Sequence, residues 1–395
     1  MRVRLPGAAG SLLLLAAVAC AQHPPPAPAP RAPSYEWLLP AGFPTPRVPA
    51  DNPMSAAKVE LGRYLFYERR LSGNGTYACG SCHQQRLAFT DGRAGALGST
   101  GEHHRRGAMS LANVAYNPSM DWVDAEGRGL EEQMLRPLLG TEPVEMGMAG
   151  REAEIMARLA GEPLYRRLFA AAFPGEAEPV RLDNVRRAIA SFERTLISGG
   201  SPYDRLLFED DRWGLSERAR RGMRLFFSEE IGCSGCHGGL NLSADMVVAG
   251  EPRPPAEFHN TALYNLDGAG AYPQPDTGLA ELTGEAADMG RFRAPTLRNI
   301  ALTAPYMHDG SVPRLAAAID HYAAGGRNLG SDGRRAATPS PLRSEGLAGF
   351  EISDRQRLEL VAFLDSLTDD GFVGEPRFSD PFPPQSRAVE PPVDD

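Results

Sequence analysis

Cysteine is scarce in this chain, five in 395 residues, and four of the five fall inside two short motifs. No pair is left over for a disulfide framework, so the fold must be held by packing or by a bound group. Long apolar runs are also missing. The only candidate, residues 12–18, is too short to span a bilayer. Strand-like alternation is rare, whereas glycine and proline are plentiful at 42 and 35, a balance that predicts a mainly α-helical protein with long loops. Acidic residues outnumber basic ones 50 to 41, for a formal charge of −9. Such a surface argues against nucleic acid and favours a cationic protein partner.

The N-terminus reads as an export signal. Arg2 and Arg4 precede the apolar run, and small residues at 17–19 stand before Cys20, so residues 1–19 form a signal peptide. The same stretch resembles a bacterial lipobox with Cys20 as the lipidated residue; the alternative is an unlipidated start. Residues 20–33, rich in Pro-Ala repeats, cannot build a core and should run as an extended tether. Loss of residues 1–19 removes two arginines and takes the charge from −9 to −11. The expected location is the periplasm of a Gram-negative bacterium, with a membrane tether through Cys20.

The two motifs are C-G-S-C-H, from Cys79 through Cys82 to His83, and C-S-G-C-H, from Cys233 through Cys236 to His237. Two cysteines that form thioethers, followed at once by a histidine that reaches iron, make the attachment pattern for c-type haem. A zinc site or a redox dithiol would not require that histidine, and neither motif follows a strand. Two covalent haems are therefore expected.

Each motif is preceded by a similar segment. Gly62, Leu65 and Phe66 match Gly222, Leu225 and Phe226, and a mid-helix glycine costs about 1 kcal/mol against alanine, which suggests close helix packing. Later stripes also match: Val185, Ile189, Phe192 and Leu196 against Leu360, Val361, Leu364 and Leu367, with Phe192 corresponding to Phe363. One module is thus used twice. The resulting division is residues 34–200, residues 201–372 after the breakers at 198–202, and a C-terminal tail at 373–395. Each module resembles a cytochrome c domain.

Residues 290–300 (GRFRAPTLRNI), 302–312 (LTAPYMHDGSV) and 142–146 (EPVEM) resemble the signature of bacterial di-haem cytochrome c peroxidases. The resemblance implies an oxidoreductase acting on hydrogen peroxide. The haem on His83 would have an open position for peroxide, and that on His237 would be six-coordinate. It also implies Glu145 as the distal acid and base, Gln133 and Pro137 in the same pocket, and Trp122 as a relay between the haems. Without the resemblance, Glu145 reads as a solvated loop carboxylate and Trp122 as a core filler. His103 and His104 lie where some relatives carry a blocking histidine; an open iron is expected here. A calcium ion would take the carbonyls of Thr303 and Pro305, with Gly107 at the position of an asparagine donor. Arg291, Arg293 and Arg298 are candidates to pair with haem propionates, or are simply solvated.

Counting Asp309 as the first position, the fourteenth is Tyr322, where ordinary members of the family place a methionine. Tyrosine there resembles the MauG branch. A hard phenolate in place of a thioether favours higher oxidation states, and the resemblance implies a bis-Fe(IV)-type state that oxidises a side chain of a partner protein. Residues 108–117, residues 258–261 and the lipobox look most like the MbnH-type lipoproteins of that branch. Met307 and His321 remain alternatives as iron ligands, with Tyr322 then an ordinary helix aromatic. Two other functions compete: a cytochrome c peroxidase fed by a small cytochrome or cupredoxin, and a di-haem electron carrier without catalysis.

Overall fold

The computed structural model of the protein describes residues 35–124, 126–243 and 246–382. The expected signal peptide, Cys20 with the expected tether, and the end of the expected C-terminal tail lie outside them. The protein is mainly helical, and its only paired strands among the described residues are Phe258–Asn260 and Arg291–Arg293, antiparallel with Phe258 opposite Arg293. No described helix is long and apolar enough to cross a membrane.

Two helix pairs organise the chain. The helix Ala56–Phe66 starts at Ser55, whose hydroxyl caps the Lys58 amide, and packs on Leu182–Glu193. The helix Glu217–Phe226, capped in the same way by Ser216, packs on Asp354–Asp365. The glycines inferred from the repeat lie at the two crossings. A Cβ at Gly62 would stand 2.0 Å from the Ala188 carbonyl oxygen, and one at Gly222 would stand 1.8 Å from that of Glu359. Backbone meets backbone there, and no other residue fits. The aromatic pairs repeat as well, with Phe66 5.3 Å from Phe192 and Phe226 5.1 Å from Phe363 between ring centroids.

Each pair carries its own core, one built around Leu61, Leu65, Phe66 and Phe192 and the other around Phe226, Leu360, Phe363 and Leu367. The connection between them is not a loose linker. Asp369 accepts hydrogen bonds from Ser198 Oγ at 3.1 Å and from the amides of Gly199 and Gly200 at 3.0 and 2.8 Å, with Ser198 and Gly199 buried and Gly200 at the surface. The described part of the C-terminal tail is also packed. Phe372 and Phe378 enter the first core, and Tyr67 donates its hydroxyl to the Phe378 carbonyl at 2.7 Å.

Gly222→Ala should lower stability by about 3 kcal/mol, the upper end of the cost of overpacking, because a carbonyl rather than a flexible side chain blocks the methyl. Gly161→Ala, at a helical glycine with nothing within 4 Å of the added carbon, should be neutral or gain up to about 1 kcal/mol. Guanidinium unfolding of the two variants of the holoprotein checks the pair.

Candidate functional site

Both haem motifs open onto cavities. The first, of about 430 Å³, is lined by Cys79, Cys82, His83, Gln133, Pro137, Glu145 and Trp122. The second, of about 200 Å³, is lined by Cys233, Cys236, His237, Tyr322, Met307 and again Trp122. The catalytic and haem-binding residues expected from the sequence are therefore brought together in two adjoining spaces. His321 does not line either one, and its Nδ1 accepts the Arg327 amide at 3.1 Å.

In the first motif, one helical turn, Cys79–Cys82, delivers His83, whose amide bonds back to the Cys79 carbonyl at 2.9 Å. His83 Nδ1 lies 2.8 Å from the carbonyl of Phe89. A carbonyl can only accept, so Nδ1 carries the proton and Nε2 keeps a free lone pair, the tautomer a metal ligand needs. The loop after the motif is held by Ser110 Oγ, which donates to the Ala88 carbonyl at 2.6 Å, with Ala88 and Phe89 both at positive φ.

Glu145 sits in a loop pressed tightly against its neighbours. A Cβ at Gly98 would lie 1.9 Å from the Val144 carbonyl oxygen, and the Ser99 amide donates to the Glu145 carbonyl at 2.7 Å. Burial pushes the Glu145 carboxyl up to about 7; Asp121 adds to this and Arg136 opposes it. An acid poised at neutrality suits proton transfer. Pro137, in the helix Leu135–Leu139, fixes the same loop through its carbonyl, which accepts the Met146 amide at 2.9 Å. Gln133 ends the helix Leu130–Gln133. His104 lines this cavity, with Nδ1 accepting the Arg106 amide at 3.2 Å, whereas His103 is exposed.

Trp122 is the residue common to the motif-bearing cavities. Its indole N–H donates to the Gly107 carbonyl at 3.0 Å, and its own carbonyl accepts the Arg293 amide at 3.0 Å. The Gly107 carbonyl is thereby engaged by the indole. The carbonyls of Thr303 and Pro305 accept no hydrogen bond among the described residues. No group of three or more histidine, cysteine, aspartate or glutamate side chains there is arranged to hold a metal.

The second cavity is more apolar. Burial holds His237 down to about 4; the carbonyls of Leu242 and Pro295 oppose this, yet Nδ1 closes no hydrogen bond. Tyr322 lies on the helix Leu315–Ala323, and its hydroxyl makes no hydrogen bond to the described protein. Burial, and then the nearby Cys236 and Cys233, push that phenol well above its ordinary range. Left as a neutral phenol it has no partner, so a cation such as iron would satisfy it.

The three candidate arginines separate. Arg298 is spent on Asp204, 2.8 Å away, with both side chains nearly inaccessible, so it is a structural ion pair rather than a propionate ligand. Arg291 faces Asp288 at 3.6 Å and is half-buried, with its Nε closing no hydrogen bond. Arg293 lines the second cavity, buried, with only the Asp121 carbonyl at 3.3 Å and Met109 Sδ at 3.6 Å as acceptors. Burial pulls it down to about 10. An uncompensated buried cation beside an empty-walled cavity calls for an anion, and a haem propionate supplies one. The residues present thus fit haem in both cavities. Sequence reasoning passed over one lining residue of the first cavity, Glu193 on the closing helix.

Comparison with known proteins agrees with this geometry. The sequence model of a family described as di-haem cytochrome c peroxidase matches residues 56–212. The methylamine utilization protein MauG of Methylorubrum extorquens is 33% identical over 321 residues, 81% of this chain and 80% of that protein. The cytochrome c551 peroxidase of Pseudomonas aeruginosa is 32% identical over 283 residues, 71% of this chain and 76% of that protein. The crystal structure of a MauG-like protein associated with microbial copper homeostasis superposes with a TM-score of 0.83 at 46% identity, covering 88% of this chain and 99% of that one. Fold and relatives together define an oxidoreductase that acts on peroxide. The chain belongs to the di-haem cytochrome c peroxidase and MauG family, whose cofactors are haems.

Removing a positive charge beside a haem favours its more oxidised state. Arg293→Gln should therefore lower the midpoint potential of the second haem more than that of the first, as read by spectroelectrochemical titration.

Proposed function

We propose that each half of the chain is a haem domain, with haem attached through Cys79 and Cys82 in the first and through Cys233 and Cys236 in the second. His83 and His237 are the proximal ligands and Tyr322 is the sixth ligand of the second iron. The protein reduces hydrogen peroxide in the first cavity and spends the oxidising equivalents on a side chain of a partner protein. What supports this reading above all is Trp122, which borders both cavities, with a buried acid near neutrality on one side of it and a partnerless phenol on the other.

When bound, the haems supply the two electrons that cleavage of peroxide consumes and hold the resulting oxidising equivalents. Glu145 takes a proton from one peroxide oxygen and returns it to the other, which leaves as water, so no net proton is consumed. Gln133 and Pro137 shape the space beside it. The Trp122 indole carries charge between the two cavities. Arg293 balances a propionate, and Tyr322, once deprotonated by coordination, stabilises high oxidation states with a hard anionic oxygen. Thr303 and Pro305 offer carbonyls to a calcium ion, a hard cation that takes oxygen donors. An export signal with lipidation of Cys20 would place this chemistry in the periplasm, at a membrane surface.

The second reading, peroxide reduction with electrons from a small cytochrome or cupredoxin, is favoured by one observation. Met307 lines the second cavity along with Tyr322 and offers a thioether to the same iron. Peroxide titration of the diferric protein separates the two. A long-lived near-infrared band without added reductant supports partner oxidation, and its loss in Tyr322→Met but not Met307→Leu assigns the ligand. Turnover only after one-electron reduction, without that band, overturns partner oxidation in favour of the donor-fed enzyme.

Acceptance of the first proton requires the Glu145 carboxylate. The rate of reaction with peroxide should rise with pH through about 7 and flatten above it. Glu145→Gln should remove that limb and slow the reaction by about 10²–10⁴-fold, as measured by stopped-flow absorbance.

A further inference from the structure

Glu193 is the last residue of the closing helix of the first half, Leu182–Glu193, and it lines the first cavity. It is 4% exposed, and its carboxyl forms no hydrogen bond or ion pair with the described protein. The nearest cation cannot help it. Arg194 places one guanidinium nitrogen 2.7 Å from each oxygen of Glu131, on the helix Leu130–Gln133. Cys79, on the motif turn, feels the Glu193 carboxyl directly, and Glu145 borders the same space from its own loop.

The duplicated module provides an internal control. Because Phe192 corresponds to Phe363, Glu193 corresponds to Leu364, and Leu364 lines the second cavity. The helix pair therefore needs only an apolar side chain of leucine size at this position. A buried carboxyl is an added cost in the first half alone, and a group kept at such a cost without a partner points to a role in the cavity. Burial pushes Glu193 up to about 8; Arg194 opposes this and Glu131 adds to it.

We propose that Glu193 is a positioning residue for charge at the first haem: neutral, it leaves the electron affinity of that haem high, and ionised, it lowers it. The inference rests on the first cavity holding the haem that reacts with peroxide. Glu193 need not touch peroxide; it acts through the field it projects across a water-poor space, where an unscreened charge is worth far more than at the surface. Of the acids that line the cavity, the two that burial pushes up then divide the work, with Glu145 moving a proton on each turnover and Glu193 holding one.

Potentiometric titration of the first haem at a series of pH values tests this in the holoprotein. In the wild type its midpoint should fall with rising pH through about 8, with one proton taken up per electron. Glu193→Gln and Glu193→Leu, the latter copying the second half, should abolish the fall near 8 and leave the second haem unchanged, whereas Glu145→Gln should remove only a limb near 7 and retain the fall near 8. The same fall in Glu193→Gln, or no fall in the wild type, overturns the proposal. If neither Glu193 variant matures, redox-difference infrared spectra of Glu145→Gln decide: a buried protonated carboxyl that responds to reduction of the first haem is expected, and its absence overturns the assignment. Failure of the peroxidatic reading would show separately, as peroxide kinetics indifferent to Glu145, and would not alter these potentials.

Discussion

A carbonyl oxygen occupies the space where a side chain would begin at Gly62 and again at Gly222. Those two contacts fix how far each closing helix advances onto its opening helix, and therefore where the end of the closing helix falls. Phe192 and Phe363 pack at a tilt against the partner aromatics one turn beyond the crossing. The next residue in each case, Glu193 or Leu364, faces a cavity. A wider crossing would withdraw both, and the motif cysteines packed beside them would lose their walls. Backbone contact of this kind is unforgiving because neither group can rotate away.

One scaffold used twice has been made unequal through solvation rather than through shape. The first cavity is roughly twice the volume of the second and holds two acids that burial keeps protonated near neutrality. The second is walled by apolar side chains and holds a cation with no carboxylate hydrogen-bonded to it and a phenol with no hydrogen-bond partner in the described protein. Desolvation is the leading cause of every one of these shifts. It brings the Glu145 carboxyl into the range proton transfer needs, and in the other half it leaves Arg293 a buried cation suited to an anion and Tyr322 a neutral phenol.

Much of this was legible in the sequence because it is local or repeated. The C-x-x-C-H motifs, the glycine positions and the matching phenylalanines all follow from spacing, and the resemblance to the family located Glu145, Trp122 and Tyr322. What escaped is non-local. Asp369 gathers residues 198–200 across some 170 positions of chain, and Phe378 returns to the first core from the far end. No periodicity announces either. Arg298 shows how a motif can mislead: it sits in the same family-like run as Arg293, yet Asp204 has claimed it. Glu193 was hidden differently. Its helix reads as an amphipathic stripe, and a glutamate beside the stripe passes for its solvent edge unless the two halves are compared residue by residue.

The hydrogen bond of Trp122 gives the arrangement its direction. The indole N–H is committed to the Gly107 carbonyl, a group too weakly basic to take the proton when charge passes through the ring. An electron can therefore cross between the cavities while the proton stays where it is. The two acids proposed to handle protons, Glu145 and Glu193, line the first cavity from a separate loop and helix. Under the proposed function, separating the two carriers would keep the indole from settling as a deprotonated side chain and would confine proton chemistry to the first cavity. The second cavity, lined by no aspartate or glutamate among the described residues, would under the proposed function hold oxidising power away from those two acids.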